Sequence, residues 1–103
     1  MIKVSVLYPH ADGKKFNWDY YLQNHWPLVK NLLGAACKEV TVDAGIAGGV
    51  PGSPPVYTAM GHMFFDSVES FIGAFAPNAE AIIGDVANFT DIQPQVQISE
   101  VKL

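Results

Sequence analysis

The stretch Tyr57–Phe65, with the sequence YTAMGHMFF, decides the fold, because it predicts a β-strand that is apolar on both faces. Successive side chains of a strand point to opposite faces of the sheet. One face would carry Tyr57, Ala59, Gly61, Met63 and Phe65, and the other Thr58, Met60, His62 and Phe64. A sheet built around such a strand must bury both faces. We therefore expect helices on one face and a second copy of the chain on the other.

Patterns on either side of this strand predict three more strands and two helical segments. The predicted elements are, in chain order, a strand over 2–8, a helix capped by Asn17 and ended by Gly34, a strand over 38–44, the strand 57–65, a helix capped by Asp66 or Ser67 and interrupted by Pro77, and a strand over 95–100. This β-α-β-β-α-β order is typical of the ferredoxin-like fold. We predict one α+β domain over residues 1–103, with a four-stranded antiparallel sheet and both helices on one face. Two such sheets would stack as a dimeric α+β barrel with a lumen between them.

The composition narrows the classes of partner. Half of the residues are hydrophobic and only 16% are charged, which is little charge for a small domain and favours a homodimer. Six lysines, no arginine and ten acidic residues give a net charge of −4, so we expect no nucleic-acid partner. A single cysteine, the absence of a signal sequence and the absence of a long apolar run predict a cytoplasmic protein without a membrane partner.

His25 is the principal candidate for chemistry, because it lies on the apolar side of the first predicted helix. The residues of that side include Trp18, Tyr21, Leu22, Trp26 and Val29. Pro27 removes a backbone donor and crowds the carbonyl of Gln23, which predicts a kink there. Two explanations of His25 remain open: it bonds backbone groups freed at the kink, or it faces a ligand cavity and transfers protons.

Several other side chains are predicted to contact a ligand in the lumen. His62 is the second histidine candidate, because its strand face would look towards the partner sheet. The remaining predicted ligand-binding residues are Tyr8, Tyr21, Trp26, Met60 and Phe64. Aromatic residues are more often core or interface residues than ligand contacts. The spacing of the three histidines matches no metal-ligand motif, so we expect no metal site.

The chain resembles the EthD family, which is named for ethyl tert-butyl ether degradation. The segments that carry the resemblance are Ile2–Tyr8, Tyr21–Leu28, Phe64–Ser67 and Phe89–Pro94. The resemblance covers essentially the whole chain and implies a dimeric α+β barrel fold. It also implies a place beside oxidative, xenobiotic-degrading systems or polyketide pathways and a loose oxidoreductase label. Of the site residues it implies only His25, and it implies no definite cofactor.

Three functional hypotheses follow. The first is a cofactor-independent enzyme of monooxygenase, isomerase or decarboxylase type, in which His25 is the acid or base for a small apolar or aromatic metabolite. The second is a non-catalytic accessory protein that binds a hydrophobic metabolite. The third is a haem-binding relative with His25 or His62 as the axial ligand. The sequence shows no assembled catalytic set that would select one of them.

Overall fold

The computed structural model describes all residues, 1–103, and shows a four-stranded antiparallel sheet with helices on one face. The elements are β1 (Ile2–Pro9), α1 (Trp18–Tyr20), a π-helical turn (Tyr21–His25), α2 (Trp26–Leu33), β2 (Glu39–Ala44), β3 (Tyr57–Phe65), α3 (Val68–Phe75), α4 (Ala79–Asp85) and β4 (Gln95–Glu100). The strand order is β2-β3-β1-β4. The predicted ferredoxin-like fold is confirmed. None of the helices is long and apolar enough to cross a membrane.

Capping residues determine where the helices begin and end. The side chain of Asn17 accepts a hydrogen bond from the backbone N–H of Tyr20 and caps α1. Gly34 ends α2 with a φ of +62°, a conformation that side chains with a Cβ disfavour. Ser67, and not Asp66, caps α3 by accepting from the N–H of Ser70.

The register of the sheet sorts the side chains into two layers. Val4 of β1 lies opposite Met63 of β3, and the next pair along the strands is Ser5 and His62. Because neighbours along a strand point to opposite faces, the Val4–Met63 pair faces the helices and the Ser5–His62 pair faces away from them. The predicted alternation along β3 therefore sets which residues meet the helices.

The predicted kink at Pro27 takes the form of a π-helical turn. The N–H of Trp26 bonds to the carbonyl of Tyr21, five residues earlier, instead of to the residue four earlier. Pro27 then lies in the first turn of α2, where its missing N–H costs nothing. The wider turn shifts the helical phase, and Leu22 is 50% exposed although the sequence predicted it on the buried side.

The sheet face opposite the helices is not covered by any element of this chain. Its half-buried apolar residues are Leu7, Met60 and Phe64. Next to them, the Ser5 hydroxyl lies 2.8 Å from Nδ1 of His62, and Nε2 of His62 lies 3.5 Å from the Asp43 carboxylate. His62 therefore finds its polar partners on the neighbouring strands of its own sheet.

Candidate functional site

A cavity of about 350 Å³ lies between the helix-side face of the sheet and helices α2, α3 and α4. The residues that line it are Val4, Val6, Tyr8, His25, Trp26, Val29, Met63, Phe71, Phe75, Ile82, Ile83, Val86, Pro94 and Val96. None of them carries a carboxylate or an amine. The cavity is thus an apolar chamber whose wall contains one imidazole.

The structure divides the seven predicted site residues between the two faces of the sheet. Three of them line the cavity, namely Tyr8, His25 and Trp26. Tyr21 lies behind the wall and stacks on His25, with ring centroids 5.9 Å apart and planes 12° apart. Met60, His62 and Phe64 lie on the opposite face. Within this chain the seven residues do not share one cavity, because alternate residues of β3 point away from the helices. That they bind a ligand stays a prediction.

His25 is held in a close aromatic setting. It is only 4% exposed. Its ring centroid lies 4.7 Å from that of Phe89 and 6.0 Å from that of Trp26. The π-helical turn ends at His25, so the backbone irregularity that Pro27 imposes lies directly at this residue. Turns of this kind often occur at functional sites.

The partner of His25 is the carboxylate of Asp85, 60 residues later in the chain. Nδ1 of His25 lies 2.9 Å from Oδ2 of Asp85. An ionised carboxylate can only accept a hydrogen bond, so Nδ1 carries the proton and Nε2 keeps its lone pair. The structure does not show the alternative in which His25 bonds backbone groups freed at Pro27. Sequence reasoning missed Asp85.

The environment fixes the charges of this pair near neutral pH. Burial lowers the pKa of His25 below its ordinary value, and the hydrogen bond and charge of Asp85 only partly oppose this effect. For Asp85, burial acts to raise the pKa, but hydrogen bonds from Tyr20, Asn88 and His25 outweigh it and lower the pKa overall. A neutral imidazole therefore lies beside an ionised carboxylate at pH 7.

Tyr8 supplies the second polar group at the cavity. It is 1% exposed, and burial raises the pKa of its phenol with no hydrogen bond to offset the effect. The phenol stays protonated and can donate a hydrogen bond to a ligand. Burial likewise raises the pKa of Tyr21 to about 12, an effect that the side-chain N–H of Trp26 only partly opposes, and both of these polar atoms are fully enclosed. The structure contains no cluster of three or more His, Cys, Asp or Glu side chains that could hold a metal ion.

Comparison with known proteins places the chain in a family. The EthD domain matches residues 11–93. The crystal structure of an EthD-like protein from Ralstonia eutropha is 46% identical and covers 99% of this chain and 92% of that one, with a TM-score of 0.94. An uncharacterized 11.0 kDa protein in the thcB-thcC intergenic region of Rhodococcus erythropolis is 33% identical over 91 residues, which are 86% of this chain and 84% of that protein.

A more distant structure has the same fold. It is a dimeric ferredoxin-like protein of unknown function from Thermobifida fusca, 15% identical, with a TM-score of 0.59 over 97% of this chain and 90% of that one. At this identity the likeness concerns the fold alone. The EthD domain match spans most of the chain, and the Rhodococcus relative is more than 30% identical to it. The resemblance seen in the sequence is confirmed, and this chain belongs to the EthD family.

Proposed function

We propose that this protein binds a small, largely apolar molecule in the cavity and that His25 transfers a proton from that molecule. The observation that carries the proposal is the orientation of His25. It lines the cavity, its Nδ1–H is bonded to Asp85, and its Nε2 is left for a ligand. A neutral imidazole held in one tautomer is suited to act as a general base.

The lining of the cavity defines the class of ligand. A carboxylate or phosphate group would lose its water in a chamber without a cationic side chain, which is costly. A phenol or an enolisable ketone instead offers an apolar body and one weakly acidic group. That group can meet Nε2 of His25 and the hydroxyl of Tyr8. We therefore propose a phenolic or enolisable substrate.

The proposed step is a proton transfer. The O–H or C–H bond of the ligand breaks, the proton moves to Nε2 of His25, and the electron pair stays on the ligand as a phenolate or enolate. The Asp85 carboxylate stabilises the imidazolium that forms. Cofactor-independent isomerisation, decarboxylation and oxygen activation can all start from such an anion, so this step fits each reaction class that we consider for the family.

We also propose that the protein is a homodimer joined through the uncovered sheet face. The apolar side chains of Leu7, Met60 and Phe64 on that face support a partner. The Thermobifida protein with the same fold is described as dimeric. The predicted stacking of two sheets into an α+β barrel would cover this face and leave the cavity intact within each chain.

The proposal can be tested with 2-tetralone, an apolar bicyclic ketone with acidic α-protons. We expect the protein to accelerate exchange of these protons in D₂O, measured by NMR. The variant His25→Gln should lose the acceleration by about 100-fold or more, the usual contribution of a general base. Tyr57→Phe removes a hydroxyl outside the cavity and serves as the matched control.

The outcome separates an enzyme from a binding protein. Resonance shifts of cavity residues on addition of 2-tetralone, without faster proton exchange, would contradict catalysis and establish the alternative of a non-catalytic metabolite-binding protein. If the wild-type protein accelerates exchange and His25→Gln does so equally, His25 is not the base and its proposed role is wrong. If 2-tetralone shifts no resonance of the cavity lining, the proposed ligand class is wrong.

A further inference from the structure

We propose that Tyr20 and Asn88 are positioning residues that hold the Asp85 side chain with Oδ2 towards Nδ1 of His25, the arrangement that leaves Nε2 with a free lone pair. The inference deepens the proposed function, because only Nε2 with a lone pair can accept a proton from a ligand. Neither residue lines the cavity. Both act through the carboxylate of Asp85.

The hydrogen bonds around Asp85 assign a separate task to each oxygen. The hydroxyl of Tyr20 donates to Oδ1 at 2.6 Å, and Nδ2 of Asn88 donates to the same oxygen at 2.9 Å. Oδ2 is left for Nδ1 of His25. The side chain of Asn88 also lies 3.3 Å from the Tyr20 hydroxyl, so the two donors support each other. With Oδ1 occupied twice, the carboxylate is held in the orientation that presents Oδ2 to His25.

The π-helical turn explains how Tyr20 and His25 reach one carboxylate. In an α-helix, residues five apart point about 140° away from each other around the axis. In the wider turn, a backbone hydrogen bond joins residues five apart, as between Tyr21 and Trp26, so such residues lie nearly one above the other. Tyr20 and His25 are five apart and bind the two oxygens of Asp85. The irregular turn therefore assembles the network.

The variant Asp85→Asn makes the role of Tyr20 and Asn88 measurable. An amide has one oxygen and one NH₂ group where the carboxylate has two acceptors. Tyr20 and Asn88 both donate, so they should hold the amide oxygen at the Oδ1 position. The NH₂ group would then face Nδ1 of His25, which must become an acceptor. The variant Asp85→Asn should thus move the ring proton from Nδ1 to Nε2.

The decisive variant combines Asp85→Asn with Tyr20→Phe and Asn88→Ala. Without the two donors, nothing fixes the amide, and its oxygen can turn towards His25. We expect the Nδ1–H tautomer to reappear beside the Nε2–H tautomer. The substitution Tyr20→Phe keeps the ring that stacks on Phe89, where the centroids are 6.3 Å apart. A purely structural role of Tyr20 and Asn88 predicts no such reversal.

The tautomer can be measured without a ligand by long-range ¹H–¹⁵N correlation spectra of the imidazole, recorded well above the ordinary histidine pKa of 6.5. Asp85→Asn combined with Tyr57→Phe and Asn31→Ala is the matched control, because neither of those two side chains contacts the network. It should stay in the Nε2–H form. The proposal is overturned if Asp85→Asn keeps Nδ1–H, if the triple variant stays entirely Nε2–H, or if the control also reverts.

The proton-exchange assay distinguishes this inference from the proposed function. If the tautomer changes as expected while wild-type protein fails to accelerate exchange in 2-tetralone, the positioning role stands and the catalytic proposal falls. If both hold, Asp85→Asn should lose exchange activity by about 100-fold or more and the triple variant should recover part of it. If the triple variant regains the Nδ1–H tautomer but none of the activity, Tyr20 and Asn88 position His25 in the ligand-free protein, but this positioning does not contribute to proton transfer.

Discussion

Replacing Gly61 with alanine tests how tightly the wall behind His25 is packed. A Cβ at this position would lie 2.5 Å from Cζ2 of Trp26 and 2.7 Å from the hydroxyl oxygen of Tyr21. Non-bonded atoms of this size normally lie about 3.5–4.0 Å apart. Tyr21 is fully buried and Trp26 is 6% exposed, so both rings must move within a packed interior.

The cost of this movement can be worked out approximately. Overpacking of a core typically costs about 1–3 kcal/mol. For a domain of about 100 residues, each kcal/mol lowers the melting midpoint by about 4–8 °C. A central value of about 2 kcal/mol therefore predicts a midpoint about 8–16 °C below that of the wild-type protein. Since Trp26 lines the cavity and Tyr21 stacks on His25, binding of 2-tetralone should weaken as well.

The measurement is a thermal melt followed by circular dichroism, with Gly73→Ala as the matched control. Gly73 lies on the exposed side of α3, and a Cβ there would meet no atom within 4 Å. Alanine in a helix interior is favoured over glycine by about 0.5–1 kcal/mol, so this variant should melt at a higher temperature. If Gly61→Ala melts at the wild-type temperature, the close contact with Trp26 and Tyr21 does not exist.

Three further predictions concern stability, pH and assembly. Asp85→Ala leaves the Nδ1–H group of buried His25 without a partner and should cost about 1–3 kcal/mol in urea unfolding, whereas an unchanged free energy would contradict the pairing. Folding lowers the pKa of His25, so the stability that the neutral imidazole contributes is present above pH 6.5 and is lost as the pH falls through the folded-state pKa. The urea midpoint should therefore decline less below pH 6.5 in His25→Gln than in the wild-type protein. An equal decline in both proteins would refute this prediction. Met60→Lys places a charge on the uncovered sheet face and should convert the dimer into an 11.2 kDa monomer in sedimentation velocity. The control Gln23→Lys, on the exposed helix surface, should remain dimeric. A monomeric wild-type protein would refute the proposed dimer.

The fold could be predicted from the sequence because its main signals are local. The alternation along β3 and the capping residues Asn17, Ser67 and Gly34 each depend on a few neighbouring residues. The position of the cavity is not a local property. It depends on how far α2, α3 and α4 stand from the sheet, and the apolar residues on both faces of β3 were equally compatible with a chamber on either side.

The form of the break in the first helical segment could not be predicted from a local sequence pattern either. Pro27 indicated correctly where the regular hydrogen bonds fail, but a kink and a π-helical turn relieve that failure equally well. The π-helical turn carries Tyr20 and His25 to the same side and turns Leu22 outwards. In this conformation both residues bond to the carboxylate of Asp85, a contact between distant parts of the chain.

Asp85 did leave one signal in the sequence. It lies two residues after the apolar run Ala81–Ile83 and is the last residue of α4, where the partial negative charge of the helix end disfavours another negative charge. The carboxylate there is stabilised by hydrogen bonds from Tyr20, His25 and Asn88. His25 presents the complementary problem, because an imidazole on an apolar helix side needs a polar partner. An acidic residue at an unfavourable helix end and a histidine on an apolar side would each be costly alone, and the fold resolves both by placing them 2.9 Å apart.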